Sequence, residues 1–90
     1  MNPLNLTSLS IKGQNLEDLK ANVFNNFPNI KQLELQSNNI KHIHRGAFSK
    51  LEKLTVLLLN GNNITTIDNG AFDDLHQIDY IDFTGNSEIE

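Results

Sequence analysis

The 90-residue chain contains no cysteine and no tryptophan, and it has only one methionine and one tyrosine. Without cysteine, neither a disulfide bond nor a thiolate metal site can form, but the compartment stays open because secreted proteins need not contain disulfides. No apolar run approaches the roughly 18 residues that a membrane-spanning helix needs. The opening stretch MNPLNLTSLSIKGQ lacks a charged segment followed by a continuous apolar one, so we do not predict a signal peptide there.

Basic residues are also few in this chain. Seven Lys and Arg stand against 11 Asp and Glu, which gives a net charge of −4, and nucleic acid is therefore not predicted as a partner. No nucleophile elbow, phosphate-binding loop, zinc-ligand spacing or paired carboxylate motif occurs, so we predict neither an enzyme nor a cofactor. The hydrophobic content of 38% suits one soluble globular domain that spans residues 1–90.

The chain does contain a repeat with a period of 24 residues. When the sequence is aligned with itself at this shift, two of the apolar columns, with no insertion or deletion, are Leu9, Leu33, Leu57, Ile81 and Ile11, Leu35, Leu59, Phe83. The two columns alternate with one intervening residue, as in a strand that has one buried face. A single unit cannot bury that face, but stacked units can. We therefore predict parallel strands along one inner, concave surface.

Two further columns have a structural interpretation. An asparagine follows the strand in the later repeats, and its amide can pair with backbone groups where a buried strand turns. We predict a structural ladder made of Asn38, Asn62 and Asn86, from which Gln14 in the first repeat departs. The aromatic column is predicted to pack behind the strands as a structural spine on the convex side, made of Phe24, Phe48 and Phe72.

The repeating unit L-x-x-L-x-L-x-x-N-x-I-x-x-I-x-x-G-A-F-x-x-L-x-x resembles the leucine-rich repeat of the 24-residue typical class. The segments RGAFSKL and NGAFDDL are similar to those of extracellular leucine-rich repeat proteins such as Toll-like receptors and insect immune proteins. The resemblance implies an α/β repeat solenoid, a segment of a right-handed horseshoe. Its concave face would carry short parallel β-strands, and its convex face irregular turns or short 3-10 or helical segments. The repeats would span residues 6–29, 30–53 and 54–77, with a partial repeat at 78–90.

The same resemblance implies protein recognition by a secreted protein or a receptor ectodomain with a role in innate immunity. Extracellular members usually carry cysteine-rich caps, and none occurs in this sequence, which indicates a fragment of a longer protein. An intracellular scaffold is favoured by the lack of cysteine and disfavoured by the Gly-Ala-Phe segment. Homo-oligomerisation is the other alternative, because uncapped ends expose strand edges near Leu9 and Phe83 that can pair with a second copy.

The third repeat has surplus apolar residues. Val56 and Leu58 occupy positions between the core leucines, so they are expected to point away from the core. Neighbouring parallel strands lie about 4.8 Å apart, and Tyr80 should therefore join them in one exposed patch beside Asp79. Such a patch with a charged rim is typical of a protein-binding surface, although Val and Leu are also good strand formers. We predict as partner-binding residues Val56, Leu58 and Tyr80 for contact and Gln32, Glu34 and Asp82 for orientation.

The remaining candidate sites carry less information. His42, His44 and His76 are interpreted as solvated surface residues, because the pattern seems to supply no carboxylate or third histidine near the first two, and no metal site is predicted. Two sequences, Asn5-Leu6-Thr7 and Asn63-Ile64-Thr65, match the N-glycosylation acceptor pattern. Asn63 also belongs to a column of asparagines, so its presence does not require a glycan. Asn5 and Asn63 are therefore kept as candidate glycosylation sites.

Overall fold

The computed structural model describes residues 2–86, so Met1 and residues 87–90 of the predicted partial repeat lie outside the described residues. The described chain begins with a 3-10 turn, Pro3–Asn5, and then forms strands that return at intervals of 24 residues. In chain order the strands are β1 (Ser8–Ser10), β2 (Asp18–Leu19), β3 (Gln32–Glu34), β4 (His42–Ile43), β5 (Val56–Leu58), β6 (Thr66–Ile67) and β7 (Tyr80–Asp82). The predicted parallel-strand repeat solenoid is thereby confirmed.

The first sheet contains the longer strands, in the order β1-β3-β5-β7, and every neighbouring pair is parallel. Its register follows the repeat, so that Leu33 pairs with Leu9 on one side and with Leu57 on the other. Backbone hydrogen bonds recur with the same spacing. The amide of Thr55 donates to the carbonyl of Lys31 at 2.8 Å, and the amide of Asp79 donates to that of Thr55 at 2.9 Å.

A second sheet lies further along each repeat, in the order β2-β4-β6, and it is also parallel. This sheet was not predicted, since each strand has only two residues and is too short to show an alternating pattern. Its inward residues Leu19 and Ile43 are buried and belong to the same core cluster as Leu33 and Leu57. The core therefore lies between the two sheets.

The core is closed by the phenylalanine column. The rings of Phe24 and Phe48 stack with centroids 6.2 Å apart, and those of Phe48 and Phe72 stack at 5.7 Å. Phe83, from the turn after β7, packs edge-on against Phe72 at 5.9 Å. Phe48 is fully buried in the middle of the column. Stacked aromatic pairs add about 0.5–1.5 kcal/mol each beyond the burial of their area.

The asparagine column joins consecutive repeats. The Nδ2 of Asn62 donates to the carbonyl of Leu59 at 2.9 Å and to that of Leu35, one repeat earlier, at 3.0 Å. Its Oδ1 accepts the backbone N–H of Asn38 at 2.8 Å. The contacts are between side chain and backbone rather than between neighbouring amides. The same carbonyl contacts one repeat either way are those of Asn86 with Phe83 and Leu59, and of Asn38 with Leu35 and Ile11.

Burial is greatest in the middle of the solenoid. Leu33 and Leu57 have no exposed side-chain area, whereas Leu9 and Ile81 in the outer strands are half-buried. Their difference follows from stacking, because a central repeat has a neighbour on both sides. None of the helical segments between residues 2 and 86 has the length and apolar character required to cross a lipid bilayer.

Candidate protein-binding surface

The outward side chains of the first sheet form rows that run across the four strands. Because the register is parallel and without slips, residues 24 apart lie side by side. One row consists of Ser8, Gln32, Val56 and Tyr80, and the next consists of Ser10, Glu34, Leu58 and Asp82. All of them lie on the opposite face from the core leucines, since side chains alternate along a strand. The predicted partner-binding residues therefore share one face of the molecule.

Val56, Leu58 and Tyr80 form what we call the apolar patch. Tyr80 is 54% exposed, and its strand neighbour Val56 is half-buried, as is Leu58. Their partial burial has a simple cause, because side chains on strands about 4.8 Å apart shield one another. The patch is contiguous, since Val56 lies directly opposite Tyr80 and Leu58 is two residues further along the same strand. Side chains of this kind supply most of the energy at protein interfaces.

Glu34 borders the apolar patch on the side of β3. Its Oε2 accepts a hydrogen bond from the Nε2 of Gln32 at 2.9 Å, and its Oε1 lies 3.3 Å from the Nζ of Lys12. The Lys12 side chain is 55% exposed, so solvent weakens that ion pair. The contacts hold the carboxylate in one orientation beside Leu58, which is its partner in the register.

Asp82 borders the apolar patch on the side of β7. Its Oδ1 accepts hydrogen bonds from the Oγ1 of Thr84 at 2.7 Å and from the backbone N–H of Thr84 at 2.9 Å. The Thr84 hydroxyl and then its N–H stabilise the charged form and lower the pKa of Asp82. The apolar patch therefore has a fixed negative charge on each side, Glu34 and Asp82.

The shape of this face is open. Residues 2–86 enclose no pocket able to hold a small molecule. Small ligands and cofactors are generally bound in concave sites that cover most of their surface. An open face with an apolar centre and a polar rim is instead the arrangement found at protein–protein interfaces.

A second polar cluster lies on the second sheet, and here the sequence interpretation was wrong. His42 and His44 are half-buried with stacked rings, and carboxylates lie near both. The signal was present in the 24-residue repeat, which pairs Asp18 with His42 in the register and puts Asp68 24 residues after His44. His76 is exposed, and so are both sequon asparagines, Asn5 and Asn63.

Stacked 24-residue units, a buried asparagine at the end of each strand and an open outer face define a repeat protein of the interaction type. The family model described as "Leucine rich repeat" matches residues 5–64 and again residues 28–87. The chain therefore belongs to the leucine-rich repeat family. Domains of this family generally bind proteins and are not enzymes. No curated protein shows significant sequence similarity to the chain.

Proposed function

We propose that this protein binds a protein partner through the outer face of its first sheet. The observation that carries the proposal is the apolar patch, three neighbouring apolar side chains on a face that is turned away from the core. Val56, Leu58 and Tyr80 make the central contact, while Gln32, Glu34 and Asp82 fix the orientation of the partner. Leucine and valine also favour strands on intrinsic grounds, so the proposal requires a direct test.

The electrostatics of the face indicate the kind of partner. Glu34 and Asp82 border the apolar patch, and the whole chain carries a net charge of −4. A complementary surface presents an apolar or aromatic anchor between basic side chains, because opposite potentials favour association and fix register. An acidic partner would be repelled.

A phage-displayed random peptide library selected on the immobilised protein tests this proposal. Selected peptides should combine an apolar anchor with Lys or Arg, and their affinity should fall at least roughly tenfold for Leu58→Glu and Tyr80→Ala. Ser10→Glu is the matched control, since Ser10 lies in the same row as Leu58 but on β1, at the far side of the sheet. Peptides that bind all three variants like the wild type would show that the patch is not the binding surface.

Homo-oligomerisation is a second candidate function. It is supported by the half-buried apolar residues of the outer strands, Ile81 and Phe83 at one end and Leu9 at the other. Light scattering coupled to size exclusion, run over a wide concentration range, separates the alternatives. A dimer abolished by Leu58→Glu assigns self-recognition to the apolar patch, and one abolished only by Phe83→Glu assigns it to the terminal repeat. A monomer at every concentration excludes this function.

We further propose that the protein acts outside the cell, as an ectodomain or a fragment of one that resembles the 24-residue typical class of Toll-like receptors and insect immune proteins. The support is the Gly-Ala-Phe segment and the exposed sequon at Asn5. Secretion from eukaryotic cells behind a heterologous signal peptide should give one glycan, removed by Asn5→Gln. Asn63 should stay unmodified, because its Nδ2 donates to the Oδ1 of Asn39. Absence of any glycan would count against this location.

A further inference from the structure

The polar cluster on the second sheet combines residues from two repeats. Asp18 lies in β2 directly opposite His42 in β4, and the rings of His42 and His44 stack with centroids 3.9 Å apart. One ring nitrogen from each histidine and one carboxylate oxygen of Asp18 all lie within 4.8 Å of one another. Three donor atoms that converge in this way, from a backbone held by parallel pairing, can contact one ion at the same time.

A second carboxylate controls the tautomer of His42. The Oδ1 of Asp68 lies 2.6 Å from the Nε2 of His42, and its Oδ2 accepts the backbone N–H of Arg45 at 2.9 Å. The hydrogen bond from His42 and then that from Arg45 lower the pKa of Asp68, so this group accepts the proton of the pair. We assign the ring proton of neutral His42 to Nε2, which leaves the lone pair of Nδ1 free. Carboxylates commonly orient metal-binding histidines in this way.

His44 contributes a separate observation. Its Nε2 is buried and has no hydrogen-bond partner among residues 2–86. Buried polar atoms nearly always have a partner in a folded protein, and coordination to a cation is one way in which an imidazole nitrogen acquires it. The nearest ion pair on this face, between Lys41 and Glu17 at 3.8 Å, is more than half exposed on both sides and does not involve His44.

We propose that Asp18, His42 and His44 bind one divalent transition-metal ion, with Zn²⁺ as the best match. Two imidazole nitrogens and one carboxylate oxygen form a donor set suited to Zn²⁺, and water completes a four-coordinate site. Asp68 is a positioning residue that acts through His42. The ion joins β2 of one repeat to β4 of the next, on the sheet across the core from the apolar patch, so the proposal does not depend on the protein-binding function.

Isothermal titration of tag-free protein with ZnCl₂ tests the site. One ion per chain is expected, with a loss of affinity of at least tenfold for His42→Gln, His44→Gln or Asp18→Asn. Removal of the outer carboxylate in Asp68→Asn should weaken binding by about 10–100-fold, the usual effect of losing a histidine-orienting group. His76→Gln is the matched control, because His76 is exposed and lies outside the cluster, and it should bind like the wild type.

A measurement on the unaltered chain guards against variants that fail to fold. In ¹H–¹⁵N spectra of the imidazole nitrogens, ZnCl₂ should shift the signals of His42 and His44 and leave those of His76 in place. Lack of binding up to about 1 mM ZnCl₂, or shifts confined to His76, would overturn the proposal. So would full affinity in a folded protein carrying both His42→Gln and His44→Gln.

Discussion

Among single side chains, Asn62 carries an unusual share of the hydrogen bonding. It is only 2% exposed, and its amide pairs with four backbone groups from two repeats, Asn38 N, Ile40 N, Leu35 O and Leu59 O. Each buried group left without a partner costs about 1–3 kcal/mol. We therefore expect Asn62→Ala to lower the free energy of unfolding by at least about 3 kcal/mol, measured by urea denaturation.

The adjacent Asn63 provides the control for that experiment. It is exposed, and its side chain donates to the exposed amide of Asn39. Asn63→Ala should change the free energy of unfolding by no more than about 0.5 kcal/mol, as is usual for surface substitutions. Equal losses for the two variants would mean that the buried amides are not what joins the repeats.

A second prediction at this level concerns Asp82, whose pKa is lowered by the hydroxyl and the N–H of Thr84. Thr84→Val removes only the hydroxyl, so the pKa of Asp82 should rise part of the way to its ordinary value. A carboxyl group with a lowered pKa stabilises the fold above its ordinary pKa, and this contribution is lost as the pH falls through the folded value. The variant should therefore be less stable than the wild type near neutral pH, and the gap should close in acid.

The pKa of Asp82 can be read from ¹³C titration of its carboxyl group by NMR. Thr65→Val is the control, since Thr65 is exposed and lies between the two sheets' strands β5 and β7 in sequence, without contact to Asp82 among its hydrogen bonds. An unchanged pKa in Thr84→Val would show that the backbone N–H alone holds the carboxylate.

How much of these residue roles was predictable depends on the column in which each residue stands. Asn62 recurs as Asn38 and Asn86, so a repeated structural need was visible in the sequence alone. His42 and His44 are not repeated, and only pairing each with residues 24 before and after reveals Asp18 and Asp68. The angles that bring the four side chains together depend on rotamers, which the periodic pattern does not contain.

Among the structural elements, the turn before the phenylalanine column is the most tightly packed junction. Gly46 has φ +83°, its carbonyl accepts the N–H of Asn22, and a Cβ at this position would lie 3.3 Å from the Cβ of Ala21. Gly13 also has a positive φ, +64°, but nothing lies within 4 Å of its would-be Cβ. The two glycines therefore share the backbone requirement and differ in available space.

This difference predicts unequal effects of alanine substitution. Gly13→Ala should lower the free energy of unfolding by about 1 kcal/mol, from the left-handed backbone alone. Gly46→Ala should cost about 1–3 kcal/mol more, because it also forces two repeats apart. Urea denaturation of both variants measures the gap. Equal losses would show that Ala21 moves aside without resistance.

The sheets themselves were predictable to different degrees. In β3 and β5 the core leucines alternate with outward residues over enough length to predict a strand and its buried face. The two-residue strands β2, β4 and β6 show no such alternation, and they exist because the first sheet fixes the 24-residue stacking. Tertiary context therefore determines the second sheet, and local propensity does not.

For the molecule as a whole, stability should decline from the central repeats toward the last strand. The amides of Val56 and Tyr80 occupy equivalent positions, donating to Lys31 O and Thr55 O, each at 3.1 Å. The core under them differs, since Leu57 is fully buried and Ile81 half-buried. In a solenoid each repeat is stabilised by its neighbours, so the terminal strand should open more often than the central one.

Native-state hydrogen exchange should therefore show the Tyr80 amide exchanging roughly tenfold or more faster than the Val56 amide. Because the two hydrogen bonds have the same length, this ratio reports repeat stability and not local geometry. Equal protection would mean that the repeats unfold as one cooperative unit. The gradient also bears on recognition, because the apolar patch spans both strands. A partner that contacts Tyr80 together with Leu58 should slow exchange more in β7 than in β5, since β7 has more opening to lose.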